Sequence, residues 1–97
     1  MRFTVYHPKV PSETRQIIAD YEEISPALAD GFWTELTDAI VYATEFPERH
    51  HFDASGRRRG NLKRFPYHFL FRVFDDRIRI TVVRHHSRSS QFGSRRQ

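Results

Sequence analysis

Two runs of alternating apolar and polar residues, Tyr67 to Phe74 and Arg77 to His85, are separated only by Asp75–Asp76. Alternation with a period of two is typical of strands that have one buried face, and a two-residue connection joins such strands as an antiparallel hairpin. Because the apolar face of this hairpin must be covered by a second layer, the segment constrains the fold more than any other part of the chain.

The simplest register of the hairpin places Arg72 opposite Arg79 and His68 opposite Val83 on one face. Two arginines opposite each other repel, at a cost on the order of a few tenths of a kcal/mol in water, and an acid, a phosphate or a partner carboxylate between them would remove this cost. Solvated surface arginines are the simpler alternative. The other face is expected to be the core face, with Tyr67, Phe69, Phe71, Val73, Ile78, Ile80 and Val82.

Two helices are predicted before the hairpin, because apolar residues recur there at helical spacing. The first covers residues 12–24 and begins with Ser12 as its N-cap. The second begins at Ser25–Pro26, a capping hydroxyl followed by proline at the first helical position, and ends at Phe46–Pro47. Almost no linker separates the two helices, so they are expected to fold back on each other as an αα-hairpin.

Two shorter strands, over residues 1–7 and 61–65, complete the predicted sheet. The resulting order is β-αα-βββ. This order predicts an α+β domain in which the helical hairpin packs on one face of a small, mostly antiparallel sheet, while the other face stays open. Residues 1–90 are expected to form this single domain. Residues 91–97 lack any periodic pattern and are expected to be a flexible basic tail.

Composition limits the kinds of site that the domain can carry. The 97 residues include no cysteine, which excludes disulfides and Cys-ligated metals. No metal or other cofactor is expected, because no HxxxH or HExxH spacing occurs and the adjacent His85 and His86 point to opposite faces of a strand. The net charge of +4 suits an anionic partner. The lack of an apolar signal segment or spanning run predicts a cytoplasmic protein without a membrane partner.

The segment RFPYHFLFRVFDDRIRITVVRHHSR, an HP pair after the first strand and a long second helix ending in FP together resemble the ParE/RelE superfamily of toxins from bacterial type II toxin–antitoxin modules. The resemblance covers residues 1 to 90. It implies a small toxin that arrests growth and is held inactive by a co-expressed, often acidic antitoxin. The positions that match the family pattern are Phe65, Pro66, Tyr67, Arg72, Val73, His85 and Arg88.

The superfamily contains two functional classes. ParE-like toxins poison DNA gyrase, whereas RelE-like toxins cut messenger RNA on the ribosome without a metal. The C-terminal catalytic tyrosine or histidine of the second class has no clear counterpart, because the tail offers Phe92. The sequence therefore favours a ParE-like, non-enzymatic toxin over the alternative of a RelE-like endoribonuclease, and a non-toxic basic RNA-binding module is a weaker alternative. For the endoribonuclease, the resemblance implies a catalytic set of Lys63, His68, Arg72, His85 and Arg88.

Partner-binding residues are predicted on two surfaces. Trp33 and Tyr42 on the second helix, with Phe92 in the tail, are candidates for antitoxin binding. Aromatic residues at such helix positions most often only widen the buried face, and the alternative is that they line a partner groove. An acidic antitoxin segment is expected to lie over the helical hairpin and along the sheet. On the sheet, the candidates for binding an anion or a partner are Arg72, Arg79, Arg84 and His86.

Overall fold

The computed structural model describes residues 2–97, and Met1 of the predicted first strand lies outside them. Within this range the predicted α+β class and the order β-αα-βββ are confirmed. A single 3₁₀ turn, Pro47–Arg49, follows the second helix. The elements are β1 (Phe3–Tyr6), α1 (Val10–Ile24), α2 (Pro26–Glu45), β2 (Arg58–Asn61), β3 (Tyr67–Val73) and β4 (Arg77–His85).

The four strands of the described chain form one mixed sheet in the order β1-β4-β3-β2. β1 runs parallel to β4, whereas the β2–β3 and β3–β4 pairs are antiparallel. The two helices cover one face of this sheet and bury the core between the layers. The buried core residues are Val10, Phe32, Leu36, Ile40, Ala43, Leu62, Phe69, Phe71, Ile78, Ile80 and Val83.

The start of α2 agrees with the sequence prediction, but the start of α1 does not. The Ser25 hydroxyl accepts a hydrogen bond from the Leu28 N–H at 3.4 Å, and Pro26 opens α2. The prediction that Ser12 caps α1 is wrong, because the helix begins two residues earlier and the Ser12 hydroxyl donates to the Lys9 carbonyl. Pro11 is tolerated in the first turn, where a missing N–H breaks no helical hydrogen bond.

The predicted second strand over residues 61–65 is also wrong, because β2 lies earlier in the chain. The Glu35 carboxylate of α2 accepts hydrogen bonds from the main-chain N–H groups of Lys63 and Arg64. A backbone donor bound to a side chain is not available to a strand ladder. The chain therefore turns at these residues and enters β3 at Tyr67.

A β-bulge makes the register of the β3–β4 hairpin differ from the predicted one in the half far from the turn. Arg72 pairs with Arg79 and Phe71 with Ile80 as expected, but Leu70 then pairs with Val82. The extra residue is Thr81, whose hydroxyl donates to the Leu70 carbonyl at 3.3 Å. One inserted residue moves every later side chain of β4 to the opposite face. Val83 therefore lies in the core and Val82 on the far face, the reverse of the prediction.

The face opposite the helices, predicted to be open, is covered by residues 89–97, which we call the C-terminal segment. Gly93 packs directly on Val82, and the side chains of Leu70 and Val82 are fully buried on this face. The Arg96 guanidinium pairs with the Glu13 carboxylate of α1 at 2.6 Å and holds the far end of the segment. The mobility of this tail stays a prediction.

Candidate partner-binding face

The face of the sheet opposite the helices carries a concentration of cationic side chains, which we call the basic face. It is formed by alternate residues of β2, β3 and β4, because side chains at i and i+2 of a strand point the same way. After the bulge, the same alternation brings Arg84 and His86 to this face. Its strand members include Arg59, His68, Arg72, Arg79 and Arg84, and it is extended by Arg57 just before β2 and by His86 just after β4.

Arg84 lies at the centre of the basic face and is only 3% exposed. Its Nε donates to His68 Nε2 at 2.9 Å, and its Nη1 donates to the carbonyls of Ser90 and Phe92 at 3.0 and 2.7 Å. Its Nη2 lies 3.8 Å from the Asp53 carboxylate. Arg84 thus joins the sheet, the loop before β2 and the C-terminal segment.

His68 and His86 form a stacked pair beside Arg84. Their ring centroids are 5.1 Å apart, the rings are nearly parallel at 14°, and the two Nδ1 atoms are 2.9 Å apart. A guanidinium can only donate, so His68 Nε2 accepts and a neutral His68 carries its proton on Nδ1. His86 Nδ1 is then an acceptor. The hydrogen-bond network therefore requires both rings to be neutral.

The electrostatics of the cluster agree with this assignment. Burial of the His68 ring, together with the positive charges of Arg59 and Arg84, lowers its pKa from 6.5 to about 4. Burial and Arg59 also lower the pKa of His86. Partial burial opposes ionisation of Asp53, but hydrogen bonds from Ser55 and the charges of Arg84 and Arg59 outweigh it and lower the pKa of this carboxyl.

The pKa of His68 predicts a loss of stability in weak acid. The ring takes up a proton on unfolding between pH 6.5 and about 4, so its contribution is complete above pH 6.5 and is lost as the pH falls toward 4. We expect a loss of roughly 3 kcal/mol in the free energy of unfolding, measured by urea titration from pH 7 downward. His68→Gln should flatten this profile. Parallel profiles for the two proteins would contradict the assignment.

Arg72 and Arg79 converge on the last residue of the sequence. Arg72 Nη1 donates to Gln97 Oε1 at 2.9 Å, and Arg79 Nε donates to the Gln97 main-chain oxygen at 2.7 Å. Beside them, Arg57 Nη2 donates to the Arg96 carbonyl at 2.9 Å. The arginines that sequence alternation placed opposite each other therefore share acceptors from the C-terminal segment.

The five residues of the predicted nuclease set do not share one face. His68 and Arg72 lie on the basic face, whereas His85 points to the helical side and packs edge-on against Tyr67 at 5.0 Å. Lys63 is exposed in the turn after β2, and the Arg88 guanidinium lies over the Phe92 ring at 4.0 Å.

The aromatic candidates for antitoxin binding fall in different surroundings. Trp33 is 51% exposed and borders an apolar groove of about 250 Å³ between α1, α2 and β1, with Tyr6 and Ile18 among its other walls. Tyr42 is 44% exposed, and its hydroxyl accepts a hydrogen bond from Arg49. Phe92 is partly covered between the guanidinium groups of Arg88 and Arg96.

Sequence reasoning missed two members of the basic face, Arg57 and Arg59, and the Asp53 carboxylate that faces Arg59. Arg59 Nη1 lies 3.6 Å from Asp53 Oδ1. Three consecutive arginines precede Gly60 in the sequence. Once β2 is placed at Arg58–Asn61, alternation puts Arg57 and Arg59 on the face opposite the helices.

Residues 2–97 contain no cluster of metal-ligating side chains and no membrane-spanning helix. No three histidine or acidic side chains in this range converge as metal ligands would, and none of its helices has the length and apolar character needed to cross a bilayer. No protein-family model matches the sequence, and no curated protein matches it.

Proposed function

We propose that this chain is the toxin of a bacterial type II toxin–antitoxin module and belongs to the ParE-like class, which acts on DNA gyrase. The observation that supports the proposal most is where the family-like segment lies in the fold. Phe65 and Tyr67 pack into an aromatic cluster with Phe32 of α2, while Arg72 of the same segment points to the opposite face. A β-αα-βββ chain whose family-like segment places aromatic residues in the core and an arginine on the opposite face fits the superfamily.

The dispersal of the nuclease candidates favours the gyrase-directed class over the RelE-like alternative. A general acid or base must reach the transferred proton directly or through one water. His68 is 2% exposed and bound on both ring nitrogens, while His85 lies on the other face of the sheet. Phe92, which stands near the end of the sequence, cannot transfer a proton.

The apolar groove beside Trp33 supports the antitoxin part of the proposal. Its walls come from both helices and from β1, and an amphipathic segment fits a groove of this kind by inserting its apolar side chains. Arg15 at the rim of the groove suits an acidic antitoxin.

Inducible expression of the chain without its neighbouring gene tests the proposal. We expect growth arrest, inhibition of supercoiling by purified gyrase, and messenger RNA with unchanged 5′ ends. Co-expression of the neighbouring gene should restore growth, and Trp33→Glu should remain toxic but be rescued less well, because a charge in the groove opposes apolar insertion.

The alternatives give different results in the same experiment. Cleavage of messenger RNA at codon positions, lost in His85→Ala or Arg88→Ala, would support the RelE-like endoribonuclease and exclude the gyrase inhibitor. Normal growth with the full-length protein present would exclude both toxin classes and leave the RNA-binding module.

A further inference from the structure

The apolar groove beside Trp33, between α1, α2 and β1, has the make-up of a small-molecule site. Its lining includes four almost fully buried side chains, those of Val10, Leu36, Ile40 and Val83. Ligand sites in proteins are mostly apolar clefts in which a few polar groups fix the orientation of the ligand. The groove volume of about 250 Å³ leaves room for roughly eight groups of the size of a water molecule, so a short hydrocarbon chain fits it.

Among the described residues that line this groove, Arg15 alone is charged. Its side chain is exposed at the rim. Within residues 2–97, the Arg15 guanidinium lies within ion-pair distance of no Asp or Glu carboxylate. Because this positive charge has no partner and stands beside apolar walls, the complementary ligand carries a negative charge at one end of an apolar body.

Two hydroxyl groups in the lining are free to donate hydrogen bonds to such a ligand. The Thr37 hydroxyl is already bound to the main-chain carbonyls of Trp33 and Thr34. The hydroxyls of Tyr6 and Thr14, in contrast, make no hydrogen bond within the part of the chain that the structure describes. Burial raises the pKa of Tyr6, so its hydroxyl stays protonated and can donate a hydrogen bond to an anionic oxygen.

We propose that this groove binds a free medium-chain carboxylic acid of about eight carbons, with the alkyl chain against the apolar walls and the ionised carboxylate at Arg15. The hydroxyl groups of Tyr6 and Thr14 are the further donors available to the carboxylate. Binding is a property of the purified chain, and it does not depend on the toxin and antitoxin roles proposed above.

Trp33 gives a direct readout of the groove, because it is the single tryptophan of the sequence and lines this site. Its ring is half exposed, and an alkyl chain that covers the ring shifts its fluorescence emission to shorter wavelength. Titration of the purified chain with sodium octanoate at pH 7, below the micelle concentration, is expected to give a saturable shift. Hexanoate should bind about fifteenfold more weakly, since each buried methylene contributes about fourfold in affinity.

The contact with the carboxylate is tested by changing the ligand and by changing Arg15. Octan-1-ol and octylammonium should bind more weakly than octanoate to the original protein, because neither compensates the charge of Arg15. Arg15→Gln should weaken octanoate binding by about three- to fivefold, the range of an exposed ion pair, and leave octan-1-ol binding unchanged. Arg77→Gln is the matched control, because it removes the same charge from the β3–β4 turn, where Arg77 pairs with Asp76 outside the groove.

Three results would overturn the proposal. One is a Trp33 emission that octanoate does not shift. Another is an equal affinity of the original protein for octanoate, octan-1-ol and octylammonium, which needs no substitution and therefore holds even if Arg15→Gln does not fold. The third is a shift produced by vesicles of anionic phospholipid but not by monomeric octanoate, which would assign the groove to a membrane surface.

Discussion

Replacement of Arg84 by methionine is expected to lower the free energy of unfolding by about 3–5 kcal/mol, although methionine keeps much of the apolar length of the side chain. The guanidinium is buried, and its removal leaves His68 Nε2 and the carbonyls of Ser90 and Phe92 without a donor. It also removes one of the two arginines that face Asp53. Urea unfolding at pH 7, followed by circular dichroism, measures the loss.

Arg72→Met is the matched control, because Arg72 lies on the same face but is more exposed and its Nη1 hydrogen bond goes to the exposed Gln97. Its loss is expected to stay below about 1 kcal/mol. In the double variant Arg84→Met, Asp53→Asn, the loss should be smaller than the sum of the two single losses, because the residues share one network. Equal losses for Arg84→Met and Arg72→Met would show that the buried contacts of Arg84 contribute no special stability.

The half of the hairpin next to the turn could be predicted from the sequence, and the structure confirms it. β4 has the predicted bounds, Arg77–His85, and Arg72 lies opposite Arg79. Strict alternation fixes which side chains share a face, and the short Asp75–Asp76 connection fixes the register near the turn.

The far half of the hairpin could not be predicted in the same way. Val82 and Val83 are both apolar, so alternation is lost at the point where the bulge occurs. Either valine is apolar and could occupy a core position. The choice depends on Thr81, whose side chain reaches back to the Leu70 carbonyl, and this is a contact between strands that no local pattern encodes.

The covering of the basic face depends on contacts between residues far apart in the sequence. Arg96 and Glu13 are 83 positions apart, and Gly93 reaches Val82 only because its own side chain is absent. Residues 89–97 have no periodic pattern, so local rules identify them only as irregular. The turn at Lys63 was mispredicted for the same reason, since the Glu35 carboxylate that holds it comes from α2.

The two faces of the sheet are held by different kinds of contact. On the helical side, Tyr67 and His85 are held by ring packing, while on the far side His68, Arg84 and His86 are held by hydrogen bonds between cations and neutral rings. A ring that leaves a packed core leaves a cavity behind, which costs stability. An arginine that loses one hydrogen-bond acceptor can instead donate to another acceptor. Exchange of contact partners is therefore expected on the basic face and not on the helical side.

The second large effect is expected at Phe32, on the helical side. Its side chain is fully buried, and its ring centroid lies 5.5 Å from those of Tyr21 and Phe65 and 5.3 Å from that of Tyr67. Phe32→Ala removes the ring that joins α1, α2 and the start of β3. We expect a loss of about 3–5 kcal/mol in the free energy of unfolding, measured by urea titration.

Trp33 is the neighbouring aromatic residue on α2 and the matched control, because its ring is about half exposed. Trp33→Ala is expected to cost less than about 1 kcal/mol, as surface substitutions do. Equal losses for Phe32→Ala and Trp33→Ala would show that burial of the Phe32 ring contributes no special stability.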